Sequence, residues 1–203
     1  MKGTMKNTII TISRQYGSAG RGIGHLVAEQ LGLECYDSQI ISKIAEESGF
    51  NADYVKQNSE MTAETGFFAS LTGMDLYTYS NRDTIWILQS RIINELAEKG
   101  PCVIVGRCAD YILRDKYDLL RVFIYADDED RIRRITEEYH EADSYPEKHL
   151  IANDKRRAAY YDLYTDQKFG DYHYYDLCLS SSSLGIETCA HMIAEAYEKK
   201  TAE

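Results

Sequence analysis

Apolar, β-branched runs alternate with amphipathic stretches of helical length along this chain. The short runs predict strands, and the stretches whose apolar residues recur three and four positions apart predict helices. The predicted strands are 9–12, 33–36, 102–105, 120–125 and 177–179, and the predicted helices are 22–31, 39–48, 82–99, 127–139, 147–163 and 186–199. This alternation is typical of an α/β fold in which helices cover both faces of a parallel sheet of about five strands.

Polar residues follow the predicted strands, and in an open parallel sheet ligands bind at the carboxyl ends of the strands. Asp37 and Ser38 follow the second strand, and Gly106 and Arg107 follow the third. An acidic and basic stretch, 127–134, follows the fourth. The serines 180–183 follow the fifth, where they are expected to cap the last helix. The sequence therefore predicts a polar site along one edge of the sheet.

A glycine-rich loop joins the first strand to the first helix and predicts a phosphate site. Glycine lets a loop curl around an anion, and a helix N-terminus adds oriented N–H donors. The residues predicted to hold the phosphates are Gly17, Ser18, Ala19, Gly20, Arg21 and Gly22. The alternative is a glycine turn that only lets the helix pack closely on the strand.

This loop departs from the usual P-loop, G-x-x-x-x-G-K-[ST]. Gly17 and Gly22 have the required spacing, but Ile23 and Gly24 then stand where Lys and Ser/Thr belong. Arg21 is the only cation inside the glycine run and is therefore the candidate partner for phosphate charge.

Two basic segments, around 131–134 and 154–157, flank an acidic, proline-containing connection. Arg131 and Arg134 share a helix face because they are three residues apart. The arrangement fits a lid, near 131–157, that closes over phosphates. A solvated helix surface with ordinary charge patterning is the alternative.

Two further segments have uncertain roles. Residues 60–81 are rich in Gly, Thr and aromatic side chains and have poor periodicity, which predicts a loop that serves as a substrate-covering insert or a dimer contact. Tyrosines cluster at 160, 161, 164, 172, 174 and 175. They fit a core or an interface better than a platform for stacking a base.

Composition narrows the class of protein further. The 203 residues suit one domain, and the net charge of −10 argues against a long nucleic acid as partner. No apolar run approaches the roughly 18 residues of a membrane span. Scattered cysteines without a C-x-x-C pair predict reduced thiols in a cytoplasmic protein and no metal cluster.

From about 9 to 197 the sequence resembles the cytidylate kinase-like branch of the nucleoside-monophosphate kinases, which have a P-loop NTPase fold. The resemblance rests on the strand, loop and helix of 10–32, on 36–38, on 103–107, on 123–134, on 154–157 and on 175–187. It implies a single domain over 1–203, with helices on both faces of the sheet, a substrate-side insert near 51–81 and a helical lid. It also implies ATP and Mg²⁺ as ligands.

The same resemblance implies roles for individual residues. Arg21 and the loop would hold ATP, and Arg131 and Arg134 would neutralise charge during transfer. The acceptor, a pyrimidine nucleoside monophosphate, would be held by residues from four segments: Asp37, Ser38, Lys43, Arg107, Asp154 and Arg157. Lys43 stands where the family usually has an arginine. No metal-binding side chain is assigned.

The departures from the family lie in the loop. A gapless alignment puts Gly20 at the lysine position, Gly22 at the Mg²⁺-binding threonine and Ser13 at the aspartate that ends the first strand. The leading hypothesis is thus an ATP-dependent kinase with an atypical P-loop. The alternative is a nucleotide-binding or regulatory protein that keeps the fold without transfer.

A third hypothesis, a short-chain dehydrogenase, is weaker. Gly20–Gly24 and the pair Tyr164 and Lys168 mimic motifs of that family. Only 35 residues follow Lys168, however, which is too few to complete such a sheet.

Overall fold

The computed structural model describes residues 7–59, 75–138 and 146–202, and shows one sheet of five parallel strands in the order β2-β3-β1-β4-β5. The strands are β1 (Thr8–Arg14), β2 (Glu34–Tyr36), β3 (Cys102–Val105), β4 (Asp118–Tyr125) and β5 (Leu177–Ser180). The α-helices are α1 (Gly20–Leu31), α2 (Ser38–Ser48), α3 (Ala52–Asn58), α4 (Asp75–Glu98), α5 (Ala109–Leu113), α6 (Asp128–Arg133), α7 (Pro146–Tyr164), α8 (Ser181–Leu184) and α9 (Ile186–Ala202). The α/β architecture predicted from the sequence is confirmed.

The central strand β1 is buried on both faces, which explains its unbroken apolar run. Ile10 pairs with Val103 on one side and with Leu120 on the other. One core layer packs α2 and α4 against the sheet, and the other packs α1 and α9 against the opposite face. The carboxyl ends of β1, β3 and β4 therefore meet at one edge.

Helix α1 lies close to the sheet because it carries glycine where it crosses β1 and β3. A Cβ atom on Gly24 would lie 2.8 Å from Val105 Cγ2 and 3.3 Å from Ile12 Cδ1. Gly22 points the other way, with no atom within 4 Å of such a Cβ. Gly24 is therefore needed for close packing of α1 on the sheet, whereas Gly22 is not.

We expect Gly24→Ala to lower the free energy of unfolding by about 1–3 kcal/mol, because the added methyl overpacks the α1–sheet contact. Gly22→Ala, the matched control on the same helix, should be neutral or stabilising by up to about 1 kcal/mol. Urea denaturation of both variants measures the difference. Equal effects would contradict the packing role assigned to Gly24.

Several sequence predictions need correction. Helix α4 begins at Asp75, so residues 75–81 are helical rather than part of a loop. The helix expected over 127–139 is α6 followed by a π-helical turn, Arg134–Glu138. The short helices α3, α5 and α8 were not predicted, since each is below the length at which periodicity is legible. Ser180 caps α8 by accepting from the Ser183 N–H, and does not cap the last helix.

The described residues test some of the remaining predictions. All five cysteines are free thiols, and Cys102, Cys108 and Cys189 are buried. Tyr160, Tyr161 and Tyr175 are buried, so half of the tyrosine cluster contributes to the core. Within the described ranges no helix has the length and apolar character needed to cross a membrane. Residues 60–74 and 139–145, in the predicted insert and lid, lie outside those ranges.

Candidate active site at the carboxyl edge of the sheet

The glycine-rich loop turns sharply from β1 into α1. Gly17 and Ala19 both have left-handed backbone conformations, with φ of 74° and 61°. The loop is pinned to β4 by a hydrogen bond from the Gln15 N–H to the Ile124 carbonyl (3.0 Å). In the described part of the chain, no hydrogen bond uses the N–H groups of Gly20, Arg21 or Gly22, the first residues of α1. These donors can therefore receive an anion.

The carbonyl groups of the loop are held by arginines from the predicted lid. Arg157 Nη1 donates to the Arg14 carbonyl (3.2 Å), and Arg131 Nε donates to the Tyr16 carbonyl (2.7 Å). Arg134 Nη1 donates to the Gly17 carbonyl (3.0 Å). The carbonyls of Arg14, Tyr16 and Gly17 are thus all bound from the lid side.

Asp154 completes this clamp from helix α7. Its Oδ1 accepts from the Tyr16 N–H (2.8 Å), and its Oδ2 accepts from Arg131. Arg131 is 2% exposed and also pairs with Asp128 (2.9 Å). Gly17 fits beneath them because it has no side chain: a Cβ there would lie 2.9 Å from the Arg131 carbonyl oxygen. The clamp thus depends on an ion pair made by a buried arginine and on a glycine.

Arg107 occupies a second, strained turn after β3. Gly106, Arg107 and Cys108 are three consecutive residues with positive φ, at 74°, 62° and 53°. For a residue with a side chain this conformation is costly. Arg107 is 4% exposed, and its guanidinium donates to the Ser59 hydroxyl at the end of α3. Gln89 Nε2 donates to the Arg107 carbonyl (3.0 Å) and supports the turn from α4.

A narrow cleft lies between the ends of β1 and β3. Three arginines, Arg14, Arg107 and Arg157, line it. The other lining residues are Ser13, Gly106, Cys108, Tyr160, Tyr161 and Phe169. Three arginine residues beside aromatic side chains, in a protein with net charge −10, make this cleft a candidate anion site. Its volume is about 10 Å³, so its walls must move apart to admit more than a water-sized group.

Helix α4 contributes residues that the sequence analysis did not single out. Arg82, Trp86 and Gln89 are spaced i, i+4 and i+7 and so share one face. Trp86 stacks on Tyr164 with ring centroids 4.5 Å apart, and Gln89 is fully buried. Arg82 is 6% exposed, and its Nε lies 3.5 Å from Asn58 Oδ1. The helical spacing of Arg82, Trp86 and Gln89 was the signal that could have identified this face.

Beneath the cleft, a buried carboxyl group links α5 to α7. Asp110 Oδ2 lies 2.7 Å from the Tyr161 hydroxyl, which is also 2.9 Å from Gln167 Oε1. A tyrosine hydroxyl has one proton and cannot donate to both oxygens. Burial raises the pKa of Asp110, and the hydrogen bond from Tyr161 and the positive charge of Arg121 only partly offset this. A protonated Asp110 would donate to Tyr161 and satisfy both contacts.

We therefore expect Asp110 to make stability depend on pH. Since its pKa is raised in the folded state above the ordinary value of 3.8, its contribution is complete below pH 3.8 and is lost as pH rises through the folded value. Asp110→Asn, which mimics the protonated carboxyl, should flatten this decline and be more stable than the wild type at neutral pH.

Urea denaturation at a series of pH values from about 4 upward tests this expectation. Asp115→Asn is the control, because that side chain is 80% exposed. The assignment fails if Asp110→Asn keeps the wild-type slope of stability against pH.

The structure brings some of the predicted site residues together and separates others. Arg107 and Arg157 line one cleft, whereas Asp154, Arg131 and Arg134 hold the loop from the lid side. Arg21, 61% exposed, pairs through Nε with Asp37 Oδ2 (2.5 Å) at the end of β2. Ser38 begins α2, and Lys43 is half-buried on that helix. None of these four residues lines the cleft.

A family model described as the cytidylate kinase-like family matches residues 9–183. The chain belongs to the cytidylate kinase-like family. The sheet order and the glycine loop, found independently above, agree with this membership. No curated protein matches the chain.

Solved structures show the same fold over nearly the whole chain. An uncharacterised protein from Eubacterium ventriosum has 24% identity and a TM-score of 0.70, covering 94% of this chain and 98% of that chain. Shikimate kinase from Acinetobacter baumannii, in complex with shikimate, has 14% identity and a TM-score of 0.55, covering 98% and 96%. The APS kinase of Mycobacterium tuberculosis, in complex with AMPPNP and APS, has 17% identity and a TM-score of 0.53, covering 96% and 99%. This family member therefore has the P-loop kinase fold.

Proposed function

We propose that this protein is an ATP-dependent kinase that transfers the γ-phosphoryl group to a pyrimidine nucleoside monophosphate. The observation that carries the proposal is the cleft lined by Arg14, Arg107 and Arg157, next to the N-terminus of α1. Phosphoryl transfer depends on positioning and on neutralising charge, and this edge of the sheet provides both.

The donor side fits a polyphosphate. Gly17 and Gly20 leave no room for a side chain, and the N–H groups at the start of α1 are available to oxygen atoms. When bound with ATP, Mg²⁺ would neutralise charge on the transferring phosphates. The described residues include no group of three or more acidic, histidine or cysteine side chains suited to a metal. In this proposal Mg²⁺ is held chiefly by phosphate oxygens and water, as is common for this ion.

The acceptor in this proposal is a phosphate monoester with a flat base, and the cleft, whose volume is about 10 Å³, must widen to admit it. Arg107 and Arg157 would bind the acceptor phosphate, and Tyr160, Tyr161 and Phe169 would bound the nucleoside. An oxygen atom of that phosphate attacks the γ-phosphorus, the bond to the β–γ bridging oxygen breaks, and ADP leaves with the electron pair. The product carries the new phosphoanhydride bond. Arg134, which donates to the Gly17 carbonyl, would offset charge on the donor phosphates during this step.

A non-catalytic nucleotide-binding protein is the second candidate. The observation that favours it is that Gly20 and Gly22 stand where the family has lysine and threonine. Such a protein would bind ATP and monophosphates through the same two surfaces without transfer. We also propose that the physiological ligands are small-molecule nucleotides and that the insert covers the acceptor. A homodimer is a further proposal.

The two candidates are separated by a coupled assay for ADP release with ATP, Mg²⁺ and each of CMP, dCMP, UMP and AMP. The kinase proposal expects turnover that requires an acceptor and is fastest with a pyrimidine. A thermal melt with ATP, ADP and adenosine is run in parallel. A nucleotide-dependent rise in melting temperature without any turnover supports the binding protein, and no rise with any nucleotide contradicts both.

A further inference from the structure

The two loop positions at which this chain departs most from a P-loop lie in direct contact. The pattern G-x-x-x-x-G-K, with its lysine at residue 20, puts its first glycine at residue 14 and its second at residue 19. This register agrees with the backbone, since Ala19 has the left-handed φ of 61° that a glycine adopts readily. In this chain the first glycine is replaced by Arg14, and the lysine is replaced by Gly20.

These two replacements are complementary in space. A Cβ atom built on Gly20 would lie 2.6 Å from Arg14 Cβ and 2.9 Å from Arg14 Cγ. Separations below 3.0 Å are not tolerated, so side chains at 14 and 20 exclude each other in this backbone. A lysine at 20 requires a glycine at 14, and an arginine at 14 requires a glycine at 20. The loss of the lysine is thus coupled to the gain of an arginine.

Arg14 also lies next to the candidate site. It ends β1, its carbonyl accepts a hydrogen bond from Arg157 (3.2 Å), and it lines the cleft together with Arg107. This position lies between the donor loop and the proposed acceptor site, where the transferred phosphoryl group would pass. Its backbone belongs to strand β1, whose pairing with β4 extends to Arg14.

We propose that Arg14 is the phosphate-binding cation of this loop and replaces the P-loop lysine from the opposite side of the turn. The inference rests on the proposed function. A guanidinium presents a planar fork of N–H donors, so it can bind two phosphate oxygens where an ammonium group binds as a point charge. The ligand class is a nucleoside triphosphate, with Arg14 directed to the outer phosphates rather than to the nucleoside.

Reciprocal exchange tests this directly. Four proteins are compared: the wild type, Arg14→Gly, Gly20→Lys, and the double variant with both changes. Binding of AMPPNP, ADP and AMP is measured by calorimetry, and ADP release is measured with the best acceptor. Arg91→Ala, a 54% exposed arginine on α4, is the control for loss of a positive charge.

We expect Arg14→Gly to weaken AMPPNP binding at least about tenfold and AMP binding much less, with turnover falling about 100-fold. Gly20→Lys alone should be destabilised by the contact with Arg14. The double variant should recover at least tenfold of the AMPPNP affinity lost in Arg14→Gly, because the lysine then has both space and a role. Arg91→Ala should behave as the wild type.

Each other outcome counts against the proposal. If Arg14→Gly binds AMPPNP as the wild type does, or loses AMP and AMPPNP affinity equally, Arg14 does not bind the outer phosphates. If the double variant recovers none of the AMPPNP affinity lost in Arg14→Gly, a lysine at 20 does not substitute for Arg14. If the wild type binds AMPPNP but transfers no phosphoryl group, the kinase proposal is wrong. The AMPPNP affinities of the four proteins still test the role of Arg14 in that case. A wild type that binds no nucleotide overturns both.

Discussion

Arg157→Ala is expected to lower kcat/KM for the acceptor about 100-fold while leaving the affinity for AMPPNP within about threefold. Arg157 lines the cleft with Arg107, and the proposed function gives it a charge-assisted contact with the acceptor. Loss of such a contact would appear in acceptor kinetics rather than in donor binding. Initial rates over a range of acceptor concentrations, with calorimetric titration of AMPPNP, separate the two effects.

The control for this experiment is Lys155→Ala, two residues away on the same helix and exposed. It removes the same charge without touching the cleft and should keep wild-type kinetics. A large loss of AMPPNP affinity in Arg157→Ala would show instead that the contact with the Arg14 carbonyl, at 3.2 Å, is the main role of this residue. Circular dichroism confirms that each variant is folded.

Arg131→Ala is expected to lower the free energy of unfolding by about 3 kcal/mol, because it leaves Asp154 without its charge partner in a largely buried site. The substitution also removes the 2.7 Å hydrogen bond to the Tyr16 carbonyl. Arg133→Ala is the matched control: that side chain is 57% exposed and pairs with Asp130 on the helix surface. It should cost about 0.5 kcal/mol or less.

Urea denaturation gives both free energies. AMPPNP titration then reports whether the loop still binds nucleotide once the clamp is lost. Equal destabilisation by the two substitutions would contradict the account of Arg131 as the buried centre of the clamp. A stable Arg131→Ala protein with normal AMPPNP affinity would show that the loop holds its conformation without the lid.

The sheet could be predicted from the sequence because its physical cause is local. Strands buried on both faces need continuous apolar runs, and residues 102–105 were predicted with the observed bounds for that reason. The ends of those runs also located Arg107 and the glycine loop. The short-range sequence pattern therefore predicts the fold and the edge of the sheet at which the candidate site lies.

The contacts that organise the site could not be predicted in the same way. Arg131, Arg134 and Arg157 have the charge pattern of a solvated helix surface, yet each donates to a loop carbonyl more than 100 positions away. Such contacts depend on how the lid helices lie over the loop, which no local pattern encodes. The π-helical turn at 134–138 could not be predicted either, since the regular periodicity of the sequence predicts an unbroken α-helix there.

The position of Arg14 could be predicted from the sequence, but its contact with Gly20 could not. Counting back from the lysine position of the P-loop pattern shows that Arg14 replaces a glycine. Only the structure shows that the Arg14 side chain lies against Gly20, which is why we propose a phosphate-binding role for it. From the sequence alone, Arg21 was the natural candidate because it lies inside the glycine run. The structure gives Arg21 a partner in Asp37, and its proposed role toward ATP remains a prediction.

The central claim is transfer of a phosphoryl group to an acceptor phosphate, and ³¹P NMR of the wild-type protein with ATP, Mg²⁺ and CMP tests it most directly. The account predicts that the ATP and CMP signals fall together while two diphosphates, ADP and CDP, appear in equal amounts. Formation of ADP with free phosphate and no CDP, or unchanged ATP with CMP and every other monophosphate in the panel, would contradict it.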